Sequence, residues 1–260
     1  MPEPEAVQAF TVGRRNGLLV GQSPSWFGPH VFGGILLAQS LDAARSTAPP
    51  GMRARSLHTY FLSAADAHAP ISYEVERIKD GRSASTRVVT ASQTQGAVLS
   101  GLCSFAADRE GRTYDLRREE GLPEPEELAR RPGPGPFEWA FVGPTPERED
   151  GTRLSTHRAW IRITGELPDD PRVHESALCF MSDLTWTAAS PWKLEGPPDR
   201  SGMVSVDHAL WLHRAARADE WLFFDVHSLV HAGGRGTIRG VLYGRDRRVV
   251  CSMAQELQFR

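Results

Sequence analysis

Val31-Phe32-Gly33-Gly34-Ile35-Leu36-Leu37-Ala38-Gln39-Ser40-Leu41-Asp42-Ala43-Ala44 is the stretch on which the fold turns. Only Gln39, Ser40 and Asp42 are polar in it, so a helix here is apolar over most of its surface rather than along one stripe. Such a helix has to be enclosed. Pro49-Pro50-Gly51 closes it, and strand-like segments follow at Arg55–Leu62, Pro70–Lys79, Ser85–Gln93 and Ala97–Phe105. In Pro70–Lys79, Ile71, Tyr73 and Val75 alternate with Ser72, Glu74 and Glu76, the period of a half-buried strand, and Asp80-Gly81 supplies a turn. A long apolar helix followed by antiparallel strands predicts a sheet wrapped round that helix.

The same order recurs. Ala159–Thr164 reads as a strand and Arg172–Thr187 as a second helix, with Val173, Ala177, Phe180 or Met181, and Leu184 marking its apolar face and Ser190-Pro191 ending it. Val204–Leu212, Glu220–Leu229, Gly236–Tyr243 and Val249–Phe259 follow as strands. An offset of 150 residues lays His58 on His208, Phe61 on Trp211 and Tyr73 on Phe223; slightly larger offsets lay Arg87 on Arg239 and Val98 on Val249. The fold class expected is α+β, with two tandem units of one helix and one long antiparallel sheet. The units span residues 1–107 and 159–260. Between them, 108–158 carries Arg117-Arg118-Glu119-Glu120, Pro123-Glu124-Pro125-Glu126-Glu127 and Arg131-Pro132-Gly133-Pro134-Gly135-Pro136, which cannot sustain a continuous element. Phe137, Trp139 and Phe141 alternate within it like a short strand. The acidic tract Glu119–Glu127 is expected to be solvated.

Composition narrows the function. Hydrophobic residues at 40% and charged residues at 24% suit a folded globular chain of 260 residues. A net charge of -2 without a basic stripe argues against a nucleic-acid partner. The apolar runs are too short for a membrane span, and Met1–Phe10 lacks the pattern of a secretory signal. Cys103, Cys179 and Cys251 are odd in number and widely spaced, unlike a disulfide framework or a zinc site. A cytoplasmic protein without metal or cofactor is expected.

These tags in this order resemble the acyl-CoA thioesterase II family, the double-hotdog thioesterases. The matching residues are His30-Val31-Phe32-Gly33-Gly34, Leu57-His58-Thr59-Tyr60-Phe61-Leu62 and the Pro70–Ser83 strand and turn. In the second half they are Ser182-Asp183-Leu184, Ser205-Val206-Asp207-His208-Ala209-Leu210-Trp211-Leu212-His213, Glu220-Trp221-Leu222, Gly233-Gly234-Arg235-Gly236 and Met253-Ala254-Gln255-Glu256. The resemblance implies a double hotdog that hydrolyses acyl-CoA to a free fatty acid and coenzyme A, within lipid metabolism, and self-associates into an oligomer. It also implies that Asp183, Ser205 and Gln255 hold the attacking water. His30 departs from the family's usual Gln, and Gly233-Gly234 from its usual Ser or Ala.

Read without the family, these residues leave alternatives open. Asp183 interrupts an apolar helix, as a working carboxylate or as part of a solvated face. Ser205 opens a strand, where a serine is commonly structural, and no GxSxG points to a nucleophile. Gln255 alternates with Met253 and Cys251, facing the core or a solvated edge. Gly33 and Gly34 begin the first helix, where free N–H groups suit an oxyanion, although close helix packing needs small residues too. His58 is a secondary candidate, matched to His208 by shared architecture. Asp207-His208 cannot act as one dyad, since neighbours in a strand face opposite ways. Phe32, Tyr60, Trp186 and Trp211 are candidates to line an acyl pocket, and Arg82, Arg87, Arg235 and Arg239 to meet phosphates. Two other readings stand beside hydrolysis: a thioester-binding module without turnover, and a hotdog hydratase or dehydratase. The absence of a histidine motif near Asp183 weighs against the latter.

Overall fold

The apolar stretch can be buried as a helix because its bulkiest polar side chain inside the core, Gln39, is satisfied there. The computed structural model describes residues 4–143, 156–185 and 203–259. A short helix α1 (Glu5–Phe10) and a hairpin of β1 (Gly13–Arg15) and β2 (Leu18–Gly21) precede the central helix α2 (Gly33–Arg45). Every residue from Gly34 to Leu41 is buried. The Gln39 amide donates to the carbonyls of Ala9 and Gln22, and its oxygen accepts from Tyr73 Oη at 2.8 Å. A buried amide so bonded costs little. Strands β3 (Arg53–Phe61), β4 (Ile71–Asp80), β5 (Ala84–Gln93) and β6 (Gly96–Ala106) wrap round it.

The second half repeats the plan with β9 (Thr156–Ile163), helix α3 (Pro171–Ser182), β10 (Met203–Ser205), β11 (Asp207–Leu212), β12 (Leu222–Ala232), β13 (Arg235–Tyr243) and β14 (Val249–Phe259). Two short strands, β7 (Arg130–Pro132) and β8 (Phe137–Phe141), precede β9. All strands join one antiparallel sheet in the order β1-β2-β4-β5-β6-β3-β11-β14-β13-β12-β9-β8-β7, with β10 on β14. The halves meet where β3 pairs β11, with Thr59 opposite His208 and Leu57 opposite Leu210. Among the described residues no helix is long and apolar enough to cross a membrane.

Some expectations need correction. Helix α3 stops at Ser182 instead of running on to Thr187, which lies outside the described residues together with Ser190-Pro191. Ser182 Oγ bonds back to the Cys179 carbonyl, and such local bonds compete with helix continuation. Val206 interrupts the strand expected over Val204–Leu212. In the acidic tract, Glu119 and Glu120 are exposed, but its neighbours are not loose. Arg118 is buried, with its guanidinium 4.7 Å from the Trp160 ring centre and 5.2 Å from that of Phe223. Pro123 accepts from Trp160 Nε1. The segment therefore roofs the outer face of β9 and β12.

The internal match is real, but every pair except Val98 with Val249 is slipped by one residue. His58 points outward and His208 inward; Phe61 packs on the core while Trp211 is exposed. Tyr73 belongs to the inner core, Phe223 to the outer cluster, and Arg87 is buried where Arg239 is exposed. A one-residue slip exchanges the faces of a strand. An offset of 151 restores them, placing Leu57 with His208, Tyr73 with Phe224 and Arg87 with Ile238. Because Arg87 pairs with Cys103 and Ile238 with Gln255, Cys103 is the counterpart of Gln255.

Helices α2 and α3 run antiparallel. The start of α2 meets the end of α3 at Gly33, Gly34, Phe180 and Asp183. At the other meeting, Arg45 Nη2 lies 2.6 Å from Glu175 Oε2, and Arg53 Nε 3.3 Å from Glu175 Oε1. Glu175 bridges the two guanidinium groups; Arg53, partly exposed, also has Asp108 Oδ2 at 3.7 Å, whereas Arg45 is largely buried. Replacing Glu175 with Ala is expected to cost about 3–5 kcal/mol in urea denaturation, because it strands the Arg45 charge. A loss under about 1 kcal/mol would mean that water reaches the pair.

Candidate active site

Asp183 caps α3 and is 5% exposed. The end of one helix and the start of another act on it in opposite senses: the carbonyl end of α3 disfavours its charge, while the amide start of α2 favours it. The Gly34 N–H and the Gln255 amide both bond to the carboxyl and lower its pKa, but burial outweighs them and pushes it up to about 7. Gly33 makes the approach possible. A Cβ there would stand 2.6 Å from Asp183 Oδ2 and 3.0 Å from the Phe61 ring. At Gly34 a Cβ would stand 2.6 Å from the Phe180 carbonyl oxygen.

Gln255 links the rest. It is 1% exposed on the inward side of β14. Its Nε2 donates to Asp183 Oδ1 at 2.8 Å and to Ser205 Oγ at 2.7 Å. Its Oε1 accepts from Thr185 Oγ1 at 2.8 Å, which turns the amide nitrogen toward the carboxyl. Ser205 ends β10, where pairing with Leu257 of β14 brings it alongside. Asp183, Ser205, Gln255, Gly33 and Gly34 thus come together at one place. A carboxyl with a pKa near neutrality, a hydroxyl and a helix-start N–H can hold a water, accept its proton and stabilise an oxyanion.

His58 does not join them. It lies on the outer face of β3, its ring 4.9 Å from that of Trp211. Tyr60 and Trp211, 59% and 39% exposed, share that face and cannot line a pocket at Asp183. Phe32 does sit inside, stacked on Phe27 with ring centres 4.2 Å apart; Trp186 lies outside the described residues. Arg87 is not available to a phosphate, because Thr47 and Asp80 hold its guanidinium within the fold.

Two residues at the site escaped the sequence reading. Thr185 gave no signal. His208 did, as a histidine in a strand, but nothing local says which face of a strand is inward. Its Nδ1 lies 3.8 Å from Asp183 Oδ1 and its Nε2 2.9 Å from Ser182 Oγ. The absence of a histidine motif near Asp183 in the sequence therefore does not keep a histidine from standing beside it in space. Burial lowers the His208 pKa to about 3, so the ring is neutral.

Comparison with known proteins gives the family and the fold. The sequence models of the acyl-CoA thioesterase N-terminal and C-terminal domains match residues 22–106 and 115–259. Acyl-CoA thioesterase 2 of Haemophilus influenzae is 28% identical over 246 residues, covering 87% of this chain and 86% of that protein. A TesB protein of Mycobacterium avium subsp. paratuberculosis superposes with a TM-score of 0.83 at 29% identity, over 98% of each chain. An acyl-CoA thioesterase II from Mycobacterium marinum does so at 0.82 and 30%, again over 98% of each chain. With both domain models accounted for and the helix-wrapping sheet present twice, the chain belongs to the acyl-CoA thioesterase family and is a double-hotdog thioester hydrolase.

Proposed function

We propose that the protein hydrolyses acyl-CoA to a free fatty acid and coenzyme A, with Asp183 as the base that activates water. The observation that carries this is the buried carboxyl with a pKa raised to about 7, tied through one amide to a hydroxyl and facing a helix start. The water's proton passes to Asp183 as its oxygen bonds to the thioester carbonyl carbon. Ser205 holds the water. Gln255, with both N–H groups committed, positions Asp183 and Ser205. The Gly34 N–H is committed to Asp183, which leaves Gly33 N–H to meet the oxyanion. When the C–S bond breaks, the proton returns to sulfur. No acyl-enzyme forms.

We further propose a two-unit division with residues 108–158 between the units, the strands β7 and β8 going with the second. A cytoplasmic location suits the three buried, free cysteines. A homo-oligomer suits the outward-facing Tyr60, Leu62, Leu102 and Trp211. Enoyl hydration is the second reading, favoured by the placement of His208 beside Asp183.

The deciding experiment is free-thiol release from short, medium and long acyl-CoAs. Wild type should release thiol, with kcat rising through about pH 7 as Asp183 ionises; folded Asp183→Asn should lose about a hundredfold or more. A 3-hydroxyacyl product without thiol release would favour hydration instead. Gly33→Ala should keep the fold and lower kcat, because Asp183 or Phe61 must move; unchanged kcat would remove Gly33 from the site.

Stability tests the carboxyl separately. Its pKa rises from 3.8 to about 7 on folding, so the folded state binds the proton more tightly. Stability is then highest below pH 3.8 as far as this group is concerned, and falls as pH climbs to about 7. Asp183→Asn should gain on wild type between pH 5 and pH 8 by at most roughly 4 kcal/mol. A gap independent of pH in thermal melts would show that the carboxyl titrates normally.

A further inference from the structure

Ser182 reveals which nitrogen of His208 carries the proton. Its Oγ lies 2.8 Å from the Cys179 carbonyl oxygen and 2.9 Å from His208 Nε2. A hydroxyl has one hydrogen, and a carbonyl oxygen can only accept. The hydrogen goes to Cys179, so Ser182 Oγ accepts from Nε2–H, and Nδ1 is left as a bare lone pair. That Nδ1 is buried without a hydrogen-bond partner. Gln255 also lies beside the ring, but its two N–H groups are spent on Asp183 and Ser205.

Two acceptors therefore face each other, His208 Nδ1 and Asp183 Oδ1, 3.8 Å apart. Nothing joins them until a proton arrives, and thioester hydrolysis delivers one to Asp183. We propose that His208 is a positioning residue whose Nδ1 accepts a hydrogen bond from the proton that Asp183 takes from the attacking water. This rests on the reading of Asp183 as the base. One O–H bond of water breaks and its oxygen bonds to the carbonyl carbon. The proton resides on Asp183 Oδ1, held toward Nδ1, until it passes to the departing sulfur. His208 itself gains and loses no proton. Its lone pair opposes the carboxylate and favours the acid, which makes Asp183 a stronger base than burial alone would.

Other titratable groups on the packed elements do not offer this service. The thiols of Cys103, Cys179 and Cys251 are pushed up by burial. Asp42 of α2 accepts from Val12 N–H, and Arg45 of α2 pairs with Glu175 of α3. Asp207, Glu256 and His58 lie on the outward positions of their strands.

The test compares His208→Gln, whose amide can keep the bond to Ser182 but places nothing at Nδ1, with His208→Asn, whose side-chain oxygen can replace Nδ1. With an acyl-CoA substrate, His208→Gln should lower kcat by about tenfold or more with KM within about twofold. Its acid limb should move down by about one pH unit, and His208→Asn should restore much of both. Two readouts need no turnover. Nitrogen NMR of the wild type should show the Nε2–H tautomer, and carboxyl carbon NMR should show Asp183 titrating lower in His208→Gln. An Nδ1–H tautomer, or an unmoved Asp183 titration in folded His208→Gln, overturns the proposal. If wild type releases no thiol, the reading of Asp183 as base fails, and the two NMR readouts still decide the Nδ1–Asp183 relation. Should His208→Gln not fold, the wild-type tautomer and the His208→Asn pH profile decide it.

Discussion

A carboxyl group held out of water at the meeting of two helix ends is the constraint on which the rest depends. Asp183 can stand there only because the opposing helix begins with two glycines. Any side chain at Gly33 would press on the carboxyl, and any at Gly34 would press on the Phe180 carbonyl. Close approach lets the Gly34 N–H bond to the carboxyl, and that bond with the Gln255 amide keeps its charge attainable. Without them burial would leave a group too weakly acidic to serve near neutral pH. The glycines, the helix crossing and the chemistry are one arrangement.

The same backbone offers a second such meeting and uses it otherwise. Where the repeat would place a partner for Gln255 stands Cys103, and the helix ends are joined by Arg45 and Glu175. Among the described residues, the Glu175 carboxylate there bonds to guanidinium groups rather than to a hydroxyl. The ion pair ties the halves of the molecule at one end, while the other end carries the polar cluster. Duplication of a fold thus supplies equal frames, and side chains divide the labour between them.

Much of the architecture was legible along the chain. The enclosed helix announced itself by its lack of a polar face, and the strands by their alternation. Asp183 and Gln255 were legible as polar interruptions in apolar patterns, and the family resemblance tied them to Ser205. The failures have one physical root. Period-two alternation says which residues share a face but not which face is inward, so matched strands slip by one residue and His58 takes the place of Leu57 as the repeat counterpart of His208. The roofing of β9 and β12 by Arg118 and Pro123 was likewise hidden, because it satisfies a charge-rich segment through aromatic rings far off in sequence.

What is local can be read along the chain: the propensity of each segment, the spacing of its apolar positions, and the presence of a carboxyl, a hydroxyl and an amide that could cooperate. Tertiary structure alone decided which of them meet. The pairing of β3 with β11 and β10 with β14 set which faces turn inward, and the crossing of α2 with α3 set which helix ends touch. From those followed the burial that raises Asp183 to near neutrality and the lone pair of His208 turned toward it. Such properties belong to distances between elements remote in sequence, and no reading of neighbours along the chain contains them.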